Sequence, residues 1–343
     1  MKNTIKIMLL FIVFTLVSCQ SILKSVIKNS MQDTQDQQAE LLKSDNMHVF
    51  LIGSGGPLSN EERISAGIGV IAGGEFILVD IGPGAVRNIN ILGLPAGSLS
   101  ALFLTHFHSD HISDLGELGF MTWAQGRQGK LKVYGPEGVE QVVNGYNMAY
   151  ALDSSYRTAH HGEKVMPSKN AGAIPITLSI PDPEEAMPFF NRNGLKASVF
   201  LVDHFPAKPA VGYRFEYKGN SVVITGDTVK TRTLPKFAKN ADLLISEALD
   251  VKTIDLMSTI AEELNNPRLS KQMTDIMDYH MTPVQAAEVA QEARAKKLVY
   301  VHIVPPILNF FIKRMYLEGT VDAFDGDIIL GEDGMAFELE PKN

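Results

Sequence analysis

The chain has 343 residues, 45% of them hydrophobic and 20% charged, which is ordinary for a globular protein and enough for one large core or two small ones. Its formal net charge of −8 makes it a poor generic binder of nucleic acid. A lone cysteine, Cys19, excludes both a disulfide framework and an intramolecular cysteine-based metal site.

Lys2 and Lys6 flank the start of the chain, and residues 7–17 form an apolar run broken only by Thr15. That run is short for a bilayer span, which predicts an export signal and not a transmembrane helix. It ends in Leu16-Val17-Ser18-Cys19, a tetrapeptide that resembles the lipobox of bacterial lipoproteins. Residues 1–18 are therefore expected to be removed and Cys19 to be lipidated, placing the protein at the bacterial cell envelope, facing the periplasm or on the outer membrane. Removal would take away two lysines and no acid, making the mature chain more acidic still. Residues 19–46, polar and rich in Gln, Asp, Lys and Ser, are read as the lipidated cysteine and a flexible tether, with some helix around 38–43.

The folded body is expected over 47–343 as one domain. An apolar run at 47–52 reads as its first strand, with His48 structural, and leads into Gly53-Ser54-Gly55-Gly56-Pro57. That loop lacks the spacing of a phosphate-binding glycine loop and reads as a tight turn. Further short runs rich in branched and aromatic residues predict strands at 76–79, 101–104, 131–134, 197–202, 211–217, 221–225, 243–246 and 298–302. Helical stretches are predicted at 112–125, 139–152 and 283–295. The last has a clear start: Thr282 can cap, Pro283 suits the first helical position, and Gln285 completes a capping box.

Chemistry concentrates directly after the strand at 101–104, where His106, His108, Asp110 and His111 place four ligand-type side chains in six positions. In an extended segment 106, 108 and 110 share a side, and His111 turns back as the next helix begins. Zinc takes imidazole and carboxylate donors about 2 Å away, and a strand end can hold several at once. His204, Asp227 and His302 follow three other predicted strands, so all seven candidates lie at strand carboxyl ends, the edge where layered α/β proteins place their sites. Seven donors suit two metals that share one aspartate.

These residues, together with Asp203-His204, Gly212-Tyr213-Arg214, Thr225-Gly226-Asp227-Thr228, His280-Met281-Thr282 and Val301-His302, resemble the metallo-β-lactamase fold superfamily, in particular its ribonuclease Z and arylsulfatase-like branch. The resemblance implies a four-layer αβ/βα sandwich of two mixed sheets flanked by helices. It implies a first zinc on His106, His108 and His204, a second on Asp110, His111 and His302, and Asp227 bridging both. Val79-Asp80-Ile81-Gly82-Pro83-Gly84 resembles the superfamily's Asp-containing turn beneath the metals, and Tyr134-Gly135-Pro136 a turn of the branch. One departure stands out. In ribonuclease Z proper a tRNA-clamping arm separates the Gly-Tyr-Arg and Gly-Asp-Thr segments, whereas here only a hairpin turn at Lys218-Gly219-Asn220 fits between them.

Two zinc ions about 3.5–4 Å apart can bridge a hydroxide and stabilise the attacking and leaving oxygens of an ester. The expected activity is hydrolysis of a phosphodiester or sulfate ester of small or medium size, without specific nucleic-acid binding. The alternatives are a lactonase or β-lactamase type acyl hydrolase and, in another class, a non-enzymatic binding lipoprotein. Asp110 would bind metal and orient the hydroxide, and His280 would protonate the leaving group. Glu247 could orient His280 or merely cap a helix, and His160 with His161 could clamp substrate or line a surface loop. The sequence leaves the oligomeric state open, a homodimer included.

Overall fold

The structure is a computed structural model that describes residues 2–180 and 182–342, with side chains from Gln20 onward. In chain order the strands are β1 (Met47–Gly53), β2 (Gly67–Ala72), β3 (Glu75–Val79), β4 (Leu99–Phe103), β5 (Leu131–Gly135), β6 (Ala173–Thr177), β7 (Met187–Arg192), β8 (Leu195–Val202), β9 (Ala210–Tyr217), β10 (Asn220–Ile224), β11 (Leu243–Leu249), β12 (Lys297–Val304), β13 (Asp327–Leu330) and β14 (Ala336–Leu339). The helices are α1 (Lys2–Lys43), α2 (Ala85–Ile91), α3 (Ser109–Ile112), α4 (Leu115–Ala124), α5 (Val139–Ala149), α6 (Ala151–His161), α7 (Leu234–Phe237), α8 (Val251–Glu263), α9 (Pro267–Ile276), α10 (Pro283–Ala293), α11 (Phe310–Tyr316) and α12 (Thr320–Ala323).

Two seven-stranded mixed sheets, ordered β14-β1-β2-β3-β4-β5-β6 and β13-β12-β11-β10-β9-β8-β7, stack face to face. Between them lies a core that includes Val49, Val70, Ile77, Phe103, Val199, Tyr213, Phe215, Val222 and Ile245, side chains drawn from both sheets. On the outer face of the first sheet, Phe76, Leu102 and Val133 meet Ile89, Leu118 and Val143 of α2, α4 and α5. On the outer face of the second, Val223, Leu244 and Leu298 meet the alanine-rich side of α10 together with Leu234, Phe237 and Tyr316. The order helix, sheet, sheet, helix is the four-layer sandwich that the resemblance implied.

Strands buried on both faces read as continuous apolar runs, which is why β3, β4, β10, β11 and β12 were legible. Edge or partly exposed strands β6, β7, β13 and β14 gave no such run. The β7–β8 hairpin did carry a local signal, since Asn193-Gly194 adopts positive φ at both residues (49° and 86°) between paired Arg192 and Leu195. Likewise β9 and β10 are joined by the short turn at Lys218-Gly219, with Tyr217 opposite Asn220 and no insertion between them. The expected capping box forms: Thr282 Oγ1 accepts from the Gln285 backbone N–H at 3.2 Å, and the Gln285 side chain accepts from Thr282 N–H at 2.9 Å. Helices α8 and α9, absent from the sequence reading, fill residues that follow β11.

The expected tether differs from what folds. The structure is helical through residue 43, because residues 20–46 contain neither Gly nor Pro and are rich in good helix formers. Its end docks on the body: Gln37 and Gln38 donate to the Leu92 and Leu94 carbonyls, and Leu41 and Leu42 pack on the α2 side of the first sheet. The Cys19 side chain lies outside the described residues. Among the described residues no helix is long and apolar enough to cross a membrane.

The glycine loop after β1 is a turn held by Asp333. Its carboxylate accepts from the Ser54 N–H (2.9 Å), Ser54 hydroxyl (2.8 Å), Ile64 N–H (2.8 Å) and Asn88 amide (3.2 Å). Removing an acceptor for several part-buried donors leaves them unsatisfied, so Asp333→Ala should lower unfolding stability by about 3 kcal/mol, with Asp333→Asn recovering part of it. Denaturant midpoints at constant m-value measure this; a change below 0.5 kcal/mol would show that water replaces the carboxylate at little cost.

Candidate metal centre

The site forms where the carboxyl ends of β3, β4, β8, β10, β11 and β12 meet. After β4 the chain runs through Thr105 to His108 and turns at Ser109 into α3, so His106 and His108 leave an extended segment while Asp110 and His111 both belong to the first helical turn. Continued extended backbone would put Asp110 on the side of His106 and His108; the turn at Ser109 carries it instead to the group of His111 and His302, the grouping that the resemblance implied. Two sets result, each with donor atoms within 4.8 Å of one another: His106, His108, His204 and Asp227, and Asp110, His111 and His302.

Within the first set, His108 Nδ1 lies 3.0 Å from His106 Nε2 and 3.2 Å from His204 Nε2. Within the second, Asp110 Oδ2 lies 3.2 Å from His302 Nε2 and 3.5 Å from His111 Nε2. Asp227 Oδ2 stands between them, 3.2 Å from His302 Nε2, 3.3 Å from His111 Nε2, 3.8 Å from His204 Nε2 and 3.9 Å from His106 Nε2. A tetrahedral ion with bonds of about 2.0–2.2 Å separates its ligands by roughly 3.3–3.6 Å, so these spacings suit metal ions held between the groups. The His111 Nε2 atom is buried without a hydrogen-bond partner among the described residues, as a nitrogen reserved for a metal would be. The cluster fits a divalent metal site.

The protonation pattern agrees. Burial holds His106 well below the ordinary imidazole range and brings His204 down to about 4, keeping both neutral with lone pairs free. Burial opposes charge on His111 and His302 too, yet the Asp227 carboxylate, with Asp80 beside His111 and Asp110 beside His302, raises both. The same imidazoles overcome burial to hold Asp110 down at about 2 and Asp227 well below the usual carboxylate range.

Supporting groups aim the donors. Asp80, itself at φ 59°, accepts from the Thr105 N–H and hydroxyl at 2.8 Å each and sits 2.8 Å from His111 Nδ1. Thr105 Oγ1 in turn lies 3.0 Å from His106 Nδ1, so one carboxylate orients a ligand in each set. His204 Nδ1 donates to the Tyr279 carbonyl at 2.9 Å. His302 is held at φ 46°, and a Cβ at Gly56 would come within 3.2 Å of its ring, which explains the glycine there.

Of the remaining candidates, His280 is brought in and the histidine pair is not. His280 is buried, its ring 5.1 Å from that of His204 and 5.3 Å from that of His302, and with Asp227 and His302 it forms a third donor set. Its Nδ1 is 3.2 Å from Glu247 Oε2, close but off the line of a hydrogen bond. Glu247 lies buried beneath it, Oε1 accepting from the Thr228 and Met281 N–H groups at 3.1 and 3.0 Å. His160 and His161 sit exposed at the end of α6, whose last turns meet the carboxyl end of α4 through Thr158 to Met166 and Trp123 to Pro167. Their rings contact each other at 4.8 Å, and among the described residues they belong to none of the donor sets. Tyr279, the residue before His280, packs its ring edge-on against His204 at 4.7 Å.

A family model described as "Beta-lactamase superfamily domain" matches residues 76–303. Ribonuclease Z of Mycobacterium bovis is 31% identical over 304 residues, covering 86% of this chain and 99% of that protein. Two solved structures share the fold: the metallo-beta-lactamase fold protein YhfI from Bacillus subtilis (TM-score 0.60, 21% identity, 86% of this chain and 100% of that one) and the short form of human tRNase Z (TM-score 0.59, 22% identity, 85% and 99%). The chain belongs to the metallo-β-lactamase superfamily, in the family of the ribonuclease Z proteins. It is a metal-dependent hydrolase.

Asp80→Ala should weaken divalent-metal affinity 10- to 100-fold, as read by metal content against graded chelator. Unchanged affinity would mean that Asp80 serves only Thr105. Because His111 and His302 are raised in the metal-free protein, zinc must displace their protons. Affinity should therefore fall as pH drops through those raised values, with protons released on binding in an unbuffered titration.

Proposed function

We propose that this protein is a dinuclear zinc phosphodiesterase of the bacterial cell envelope. The observation that carries the dinuclear reading is the sharing of Asp227 Oδ2 by both donor sets. Two ions held there supply water deprotonated near neutral pH and positive charge against the developing oxyanion. The ribonuclease Z name of the relatives favours a phosphodiester over a sulfate ester or an acyl bond, and it conflicts in part with the expectation of no nucleic-acid substrate. The direct β9–β10 turn and the acidic chain favour a small or medium diester over a folded tRNA. The anchored location rests on Leu16-Val17-Ser18-Cys19 alone.

In this reading Asp110 and Asp227 fix the geometry of attack, each carboxylate held by buried imidazoles so that neither swings out to compete with the substrate. His280 donates a proton from Nε2 to the departing oxygen, since its Nδ1 faces Glu247. Glu247, pinned by two backbone N–H groups, positions the ring.

Asp227→Ala should lower zinc content below the two ions per chain expected of the intact protein and remove nearly all turnover; an active, fully loaded variant would sink the shared-ligand model. His280→Ala should keep both ions and cut rates about 10²- to 10⁴-fold on a diester with a poor leaving group, but less with p-nitrophenolate. Equal losses on both, or loss of an ion, would place His280 among the ligands or the scaffold. A panel of bis-p-nitrophenyl phosphate, p-nitrophenyl sulfate, a chromogenic lactam and a 3′-extended RNA hairpin tests the bond assignment, and faster cleavage of the RNA than of the small diester would overturn the small-substrate reading. For the envelope, Cys19→Ala should move the protein out of the membrane fraction while the purified enzyme stays active.

A further inference from the structure

Three buried tyrosines of this fold spend their hydroxyls on backbone carbonyls: Tyr213 on Leu104, Tyr300 on Pro283 and Tyr316 on Ala248. Tyr279 does not. Its ring stands edge-on to His204 (4.7 Å, 90°) and 6.4 Å from His108, and its carbonyl holds His204 Nδ1, so the residue is fixed to the first donor set. Its hydroxyl makes no hydrogen bond among the described residues, and the side chain is only half-buried. Its ring contacts with His204, His108 and His280 place this unbonded phenol beside the donor cluster.

The cleft needs such a donor. Among the described residues, every ion pair of Asp110 and Asp227 is with a histidine, and those imidazole nitrogens face the metal sites. A phosphodiester held at the donor sets would carry non-bridging oxygens on which negative charge gathers as the bond breaks, and a neutral donor beside them would stabilise that charge. His280, 5.1 Å ring to ring from His204 and 5.3 Å from His302, is assigned to the leaving group. Tyr279 stands beside it, 4.8 Å ring to ring, against His204 and His108, where a neutral O–H can meet a different oxygen of the ester without adding charge or competing for metal.

We propose that Tyr279 is a catalytic residue whose phenol O–H donates a hydrogen bond to a non-bridging oxygen of the bound ester, a contact that strengthens as negative charge gathers there in the transition state. The proposal rests on the phosphodiesterase reading for the identity of that ester. Tyr279→Phe keeps the ring against His204 and removes only the donor. On the zinc-loaded full chain it should leave the metal content unchanged, reduce kcat on bis-p-nitrophenyl phosphate about 10- to 100-fold with KM within about threefold, and weaken inhibition by orthovanadate by a similar factor. Tyr279→Ala, which also removes the packing, should in addition release zinc from the His108–His204 set. A Tyr279→Phe enzyme with wild-type kcat and vanadate affinity overturns the proposal, as does a variant that loses zinc and recovers full rate when zinc is added. Should the wild-type enzyme cleave p-nitrophenyl sulfate and no diester, the phosphodiesterase reading fails, and the same comparison on the sulfate ester decides Tyr279 independently.

Discussion

One carboxylate oxygen, Asp227 Oδ2, faces four imidazole nitrogens at 3.2–3.9 Å inside a protein interior. A single buried anion cannot satisfy so many donors and acceptors, and the concentration of lone pairs around it calls for cations. The constraint reaches far into the fold. Asp227 comes from the end of β10, the histidines from β4, β8 and β12, and they meet only if two sheets stack with their carboxyl edges aligned.

That alignment is enforced from beneath. Asp80 spans from the end of β3 to the segment after β4, and Glu247 ties the end of β11 to the loops carrying Thr228 and Met281. Both act through backbone N–H groups as well as through a histidine, so the same carboxylates join neighbouring strand ends and orient rings. Strained backbone at Asp80 and His302 persists because these bonds and the close-packed glycine loop over-determine it. Donor geometry is thereby set before a metal arrives, which reduces the cost of assembling it.

Around this centre the chain is spare on one side and extended on another. The β9–β10 turn leaves the site without a long arm, while α8, α9 and α11 build up the rim beyond β11 and β12.

The candidate ligands were legible in the sequence because they follow strands that read as short apolar runs. His106, His108, Asp110 and His111 gave the site at once, and the resemblance they carried gave the four layers. Spacing alone left Asp110 on the side of His108, and only the resemblance grouped it with His302, 192 residues away; the helix that starts at Ser109 is what separates it from His108. His280 was assigned to the leaving group while His160 and His161 were left open, and packing brings His280 beside His204 and His302 while the pair ends exposed on α6. The helix continuing through residue 43 replaced an expected tether because local propensity was outweighed in the reading by polarity, and its docking depends on Leu92 and Leu94, distant in sequence. Local pattern determined which residues could bind metal; the meeting of strand ends from two sheets decided which atoms do so together, because convergence is a property of long-range packing and of no segment alone.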